Sequence, residues 1–174
     1  ACANPPTEEM DAARSALARA ENDADAVEYA PESIARAQEL VDRMEAAAEE
    51  EEYDSARSLA LEAVSAAEQA IEDGDEAKEM ARNDASAAIS DANTLLSEVE
   101  QALVAAGEVR GLALDTSAAE GELNAAAQVI ATAENDFSQE NYGSAQRKAR
   151  DARSSLAGIQ RRIAEAVQAA TRRK

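Results

Sequence analysis

The chain is expected to be all-α and elongated, arranged as two tandem three-helix bundles that share one long central helix. Three observations lead there. Alanine supplies 46 of the 174 residues and most of the 45% apolar fraction, and alanine is the best helix former. Aromatic residues are only 2%, with Phe137 the single Phe and no Trp; with few β-branched residues beside them, a sheet is excluded. Apolar side chains also recur at steps of three and four along nearly the whole chain. A core of alanine methyl groups buries little area per residue, so stability must come from long helix–helix seams.

The halves resemble each other. Glu52-Tyr53-Asp54-Ser55-Ala56 recurs as Asn141-Tyr142-Gly143-Ser144-Ala145, an offset of 89 residues. The offset carries along the flanks: Ile34 matches Leu123, Leu40 matches Val129, Val41 matches Ile130, and Ala70 matches Ile159 without a gap. Charged positions mostly do not match, so the shared constraint is packing and the pattern reads as a duplication.

The first helix is expected to open with Thr7 as N-cap after Pro5-Pro6, with Glu8 and Glu9 favourably placed against the helix dipole. Its apolar stripe runs Met10, Ala13, Leu17, Ala20, Ala24 and Val27. Pro31 begins the second helix, where its missing N–H costs nothing. Ile34, Ala37, Leu40, Val41, Met44 and Ala48 form its stripe, and Tyr53-Asp54-Ser55 turns the chain back. Beyond the turn, positions 53, 60, 67, 74, 81, 88, 95 and 102 are Tyr, Ala, Ala, Gly, Ala, Ala, Leu and Ala. The partner line begins three residues on, at Ala56, and ends four residues on, at Ala106. This slow slide belongs to a straight helix counted in sevens, so one helix is expected over about residues 54–106, roughly 80 Å at 1.5 Å per residue. Asp73-Gly74-Asp75 is the competing signal for a break.

Gly107 and Gly111 end that helix, and Ser117 with Glu120 forms a capping box for the next. Its stripe is Leu123, Ala126, Val129, Ile130, Ala133 and Phe137. Asn141 then caps the last helix, with Ala145, Ala149, Ala152, Leu156, Ile159, Ile163, Val167 and Ala170 inward. Residues 1–6 are read as a tether, 7–73 as the first unit and 74–174 as the second, in the manner of spectrin-like repeats.

Charge narrows the function. The net charge is −19, yet residues 147–174 hold nine of the 17 basic side chains against Asp151 and Glu165. The acidic bulk argues against a nucleic-acid partner and against lying flat on an anionic lipid surface. No apolar run is long enough to span a bilayer. The chain has no histidine, the commonest acid–base catalyst and metal ligand. The serines have no recognisable activating base, so no catalytic residue, cofactor or metal is assigned and no enzyme is expected. Glu49 to Glu52 and Asp73/Asp75/Glu76 lack EF-hand spacing and read as solvated acidic faces. Tyr53 and Tyr142 are expected to pack their rings over the helix–helix turns, with ligand stacking as the other reading.

Cys2, the one cysteine, precedes Ala3-Asn4-Pro5-Pro6. One thiol closes no intramolecular disulfide, and a polar, proline-bearing flank does not suit a core cysteine. A mature bacterial lipoprotein begins this way, with no signal peptide remaining, so Cys2 is the expected lipidation site and membrane tether. Each buried acyl CH₂ contributes about 0.8 kcal/mol, so several chains anchor firmly.

The stretch Glu28-Tyr29-Ala30-Pro31-Glu32-Ser33-Ile34-Ala35-Arg36-Ala37, followed by Glu52-Tyr53-Asp54-Ser55-Ala56-Arg57, carries a resemblance over roughly residues 2–72. It resembles the Ala-rich bacterial envelope lipoprotein domain called domain-of-unknown-function family 4398. The second half lacks the Tyr-Ala-Pro element, with Leu114-Asp115-Thr116 in its place. What the resemblance implies is a lipid-anchored protein of the outer membrane facing the periplasm, with no assigned reaction. The expected function is a non-enzymatic scaffold, spacer or protein-interaction module. Arg161, Arg162, Arg172, Arg173 and Lys174 would be a basic tip for an envelope protein or other anionic partner, unless these side chains only pair with neighbouring acidic faces. The alternative is a small-molecule or lipid-binding module using a groove between alanine-lined helices.

Overall fold

The computed structural model describes residues 4–172. The helices follow one another as α1 (Thr7–Asn22), α2 (Ala24–Tyr29), α3 (Pro31–Glu49), α4 (Tyr53–Gly107), α5 (Thr116–Ser138) and α6 (Tyr142–Arg172). No strand occurs among the described residues, and the all-α expectation holds. The chain divides into two units, the first ending at Met80 and the second starting at Ala81. The boundary lies inside α4, whose early residues enter one core and whose later residues enter the other.

In the first unit, α1, α3 and the start of α4 enclose Met10, Leu17, Val41, Met44 and Leu59 among ten buried alanines. Thr7 is the first helical residue and not its cap: the carbonyl of Pro6 accepts from the Met10 N–H at 3.0 Å, and no side chain caps α1. The stripe also fails to continue to Val27. Asp23 is extended, and its carboxylate accepts from the N–H groups of Asp25 and Ala26, which ends α1 and caps α2. An aspartate able to serve two free N–H groups at once favours a fresh start over another helical turn. The register shifts, so Ala26 is buried while Ala24 and Val27 are exposed. Pro31 occupies the first turn of α3, as expected.

Gly74 does not end a helix. A Cβ built there would stand 2.5 Å from the Ala26 nitrogen and 2.6 Å from its Cα. The α2 backbone therefore lies directly on α4 at this point, where only glycine fits. Lys78, one turn on, pairs with Asp25 at 3.1 Å and fastens the same contact.

The second unit packs the end of α4 against α5 and α6. Val99, Leu103, Leu123, Ile130, Leu156, Ile159 and Ile163 are its larger buried residues. The 89-residue offset explains the difference in bulk. Ala67, Ala70 and Gly74 correspond to Leu156, Ile159 and Ile163. Where the first unit keeps α4 slim beneath α2, the second has no helix over residues 108–115 and fills the space with side chains. Asp115, and not Ser117, caps α5, its carboxylate accepting from the Ala118 N–H at 2.9 Å. Aspartate and serine are equally good caps, and the earlier start also buries Ala119.

The duplicated turn is a backbone motif. The N–H of Glu52 bonds the Ala47 carbonyl at 2.8 Å, and that of Asn141 bonds Asp136 at 2.9 Å. The N–H of Glu51 bonds Ala48, and that of Glu140 bonds Phe137. Glu51 (φ 59°) and Glu140 (φ 62°) are left-handed. Each helix thus ends in a Schellman turn, and the chain turns at Glu50–Glu52 and Gln139–Asn141. Tyr53 and Tyr142 are the first residues of α4 and α6, so Tyr53-Asp54-Ser55 is helix and not turn. Glu52 and Asn141 stand in the capping position, their carbonyls accepting from Ala56 and Ala145. A left-handed glutamate is strained where glycine is not. Glu51→Gly is expected to raise stability by about 0.5–1 kcal/mol, read as a higher urea midpoint with an unchanged slope.

Candidate functional site

The amphipathic pairing of α3 with α4 leaves a groove of about 530 Å³ along one side of the first unit. From α3 it receives Arg36, Glu39 and Arg43; from α4 it receives Glu62, Gln69 and Asp73. Arg36 and Arg43 are seven residues apart, so they stand two turns apart on the same face, about 10 Å along the axis. Asp73 is held in place: the Ser33 hydroxyl donates to it at 2.6 Å and the Gln69 amide at 2.9 Å. These two hydrogen bonds, with a smaller contribution from the positive charge of Arg36, keep the Asp73 carboxyl below the ordinary carboxylate range. The groove is thus lined by acidic and basic side chains together.

The second unit has the same seam in different chemistry. Glu122 and Arg162 stand at the offset positions of Ser33 and Asp73, and the Arg162 guanidinium grips the Glu122 carboxylate with two nitrogens, one of them at 3.0 Å. Arg36 and Arg43 correspond to Ala125 and Thr132. Asp136 organises the opposite end of the α5–α6 pair. Its carboxylate accepts from the Lys148 ammonium at 2.6 Å and from the Ser144 hydroxyl at 2.6 Å, and these hold its pKa below the usual range. A carboxylate with a depressed pKa in the folded state adds stability above that range and loses it as pH falls through it. Asp136→Asn is therefore expected to lower stability at neutral pH, with the gap to the parent closing in acid. Urea melts at a series of pH values read this directly.

Of the described basic residues of the last helix, all but the exposed Arg153 separate into two sets. Arg162 is engaged with Glu122 and Lys148 with Asp136. Arg147, Arg150, Arg161 and Arg172 are exposed, and at 100° per residue they fall on one line of α6, opposite Ala149, Leu156 and Ile163. So Arg161 and Arg172 belong to a line along the helix and Arg162 does not join them. Cys2, Arg173 and Lys174 lie outside the described residues, as does the first half of the proposed tether.

Tyr142 is buried, its ring edge-on to Phe137 with centroids 5.2 Å apart. Tyr53 is half-buried, and the position matching Phe137 is Ala48, so no ring meets it. Both are the first residues of their helices, directly after the turns. Among the described residues no group of His, Cys, Asp or Glu is arranged to hold a metal ion, and no helix is long and apolar enough to cross a membrane. The buried alanines face the two cores, and Ala125, Ala126 and Ala152 line an opening between α5 and α6. Nothing in the sequence distinguishes Arg36 and Arg43 from paired surface arginines, apart from their seven-residue spacing.

No curated protein and no solved structure matches the chain. A family model does match a segment of it, taking in nearly all of α1, then α2 and α3, and α4 as far as Ser86. The likeness carried by the Tyr29-Ala30-Pro31 and Tyr53 motifs therefore holds, somewhat beyond residue 72: residues 8–86 match the domain of unknown function (DUF4398).

Proposed function

We propose that the chain is a non-enzymatic bacterial envelope lipoprotein, anchored through an acylated Cys2, that serves as a membrane-tethered helical scaffold or spacer in the periplasm. The observation that carries this reading is the outer face of α6. In a chain of net charge −19, Arg147, Arg150, Arg161 and Arg172 are set in one exposed line, interrupted by the carboxylate of Glu165, and this basic excess suits an anionic protein surface. The thiol of Cys2 ahead of Ala3-Asn4-Pro5-Pro6 supports the anchor.

Two measurements test it. The peptide containing Cys2, taken from the native host, is expected to carry acyl mass, and Cys2→Ala is expected to move the protein from the membrane to the soluble fraction; an unmodified thiol overturns the anchor. Crosslinking in intact cells is expected to recover one dominant partner, lost on Arg150→Glu with Arg161→Glu. These two arginines are the informative pair because reversing Arg162 would also break its contact with Glu122. A partner retained by the double variant overturns the role of α6.

A further inference from the structure

The first unit has six basic side chains: Arg14, Arg19, Arg36, Arg43, Arg57 and Lys78. Four of them reach a carboxylate on another helix. Arg14 meets Glu45 at 2.9 Å, Arg19 meets Glu68 at 3.8 Å, Arg57 meets Glu9 at 2.8 Å, and Lys78 meets Asp25 at 3.1 Å. Arg36 and Arg43 make no hydrogen bond or ion pair among the described residues, and both line the α3–α4 groove. Carboxylates are at hand, since Glu39, Glu62 and Asp73 line it too. The seam itself does not need the arginines. The second unit builds the matching seam with Ala125 and Thr132 in their places; one opening between α5 and α6 is lined by Glu122, Asp151, Ser155 and three alanines, and the next holds Arg161, Glu165 and Arg162, the last already gripped by Glu122.

Two guanidiniums without a hydrogen-bonded partner, Arg36 acting on Asp73 through its charge alone, stand beside three carboxylates and select for a ligand of both signs. A plain anion would be drawn to the arginines and repelled by Glu39, Glu62 and Asp73; a plain cation would meet the reverse. Between the charges lie the Ser65 hydroxyl and the amide of Gln69, groups that pair with peptide N–H and C=O. A volume of about 530 Å³ falls within the range of small-ligand sites.

We propose that this groove binds a short peptide with a free carboxylate and a free ammonium group. Arg36 and Arg43 take the carboxylate by charge-assisted hydrogen bonds, and the flanking acids take the ammonium. The proposal is independent of the anchor and of the α6 surface, and it concerns a charged groove, not an alanine-lined one.

The test is a titration of the full chain with free-ended tetraglycine, followed by backbone amide NMR shifts. Saturable shifts at millimolar peptide are expected at residues 33–43 and 62–73, with none at the matching residues 122–132 and 151–162. Arg36→Ala with Arg43→Ala is expected to weaken binding about tenfold or more, while Arg19→Ala, which removes the same kind of charge elsewhere, leaves it unchanged. Acetylating the amine or amidating the carboxylate of the peptide is expected to weaken it as well. The absence of saturable shifts, equal shifts in both units, or binding that survives the double substitution would overturn the proposal. So would inorganic phosphate producing the same shifts, because a simple anion would then suffice.

Discussion

Gly74→Ala is expected to destabilise the first unit although it replaces the poorest ordinary helix former with the best. In a free helix the change is worth about 1 kcal/mol in favour of alanine. Here the new methyl would meet the Ala26 nitrogen and Cα at 2.5 and 2.6 Å and the Asp25 carbonyl carbon at 2.8 Å. All are backbone atoms, so no rotamer change relieves the clash. Overpacking of this kind costs typically 1–3 kcal/mol, and α2 must move off α4 or its Asp23 cap must be lost. The control is Gly121→Ala in α5, where nothing lies within 4 Å of the added Cβ; it is expected to stabilise by about 1 kcal/mol. Urea midpoints of opposite sign for the same chemical change identify a contact constraint. If both variants gain stability, α2 does not rest on Gly74.

Met44→Ala and Leu156→Ala are expected to have the largest effects of any single truncation. Both side chains are fully buried, and they are the bulkiest such residues in their respective units. Truncating a buried Met or Leu to alanine costs about 2–5 kcal/mol, with the upper end reached where the surroundings cannot collapse. These cores collapse poorly. Around Met44 the buried partners are mostly alanines, whose side chains have no rotamers with which to fill a void. Leu156 sits among Val99, Ile130 and Ile159, β-branched residues with restricted χ1. A loss below 1 kcal/mol in thermal or urea unfolding would mean that the helices close up around the deletion.

Much of the fold was legible in the sequence because it rests on local periodicity. The slow slide of the alanine lines from Ala56 to Ala106 marked α4 as one helix. Pro31 marked the start of α3, and the 89-residue offset located a turn that proves to be repeated down to individual backbone hydrogen bonds. What escaped depends on choices between near-equal local options. Asp23 lies in a run of polar residues and nothing nearby marks it as a cap; its role follows from the α2 backbone finding a glycine 48 and 49 residues later, a contact between distant segments. Asp115 and Ser117 are both good caps two residues apart, and burial of Ala119 decides between them. The arginines of the α3–α4 groove could not be sorted from the paired ones by any local rule, since pairing is decided across helices. The reach of Arg162 to Glu122 was open to the sequence as one of two readings for the last helix, and geometry selects it.

The substitution of one cross-helix fastening for another has a practical outcome. In the first unit a hydroxyl and an amide hold a carboxylate, so neither donor carries a charge. In the second, at the matching positions, two opposite full charges meet at the solvent boundary. Mobile ions attenuate the second attraction and leave the first nearly untouched. Added sodium chloride should therefore weaken the Arg162–Glu122 fastening and leave its Ser33–Asp73 counterpart in place, while the first unit feels ionic strength through its other cross-helix pairs, such as Arg14–Glu45 and Arg57–Glu9.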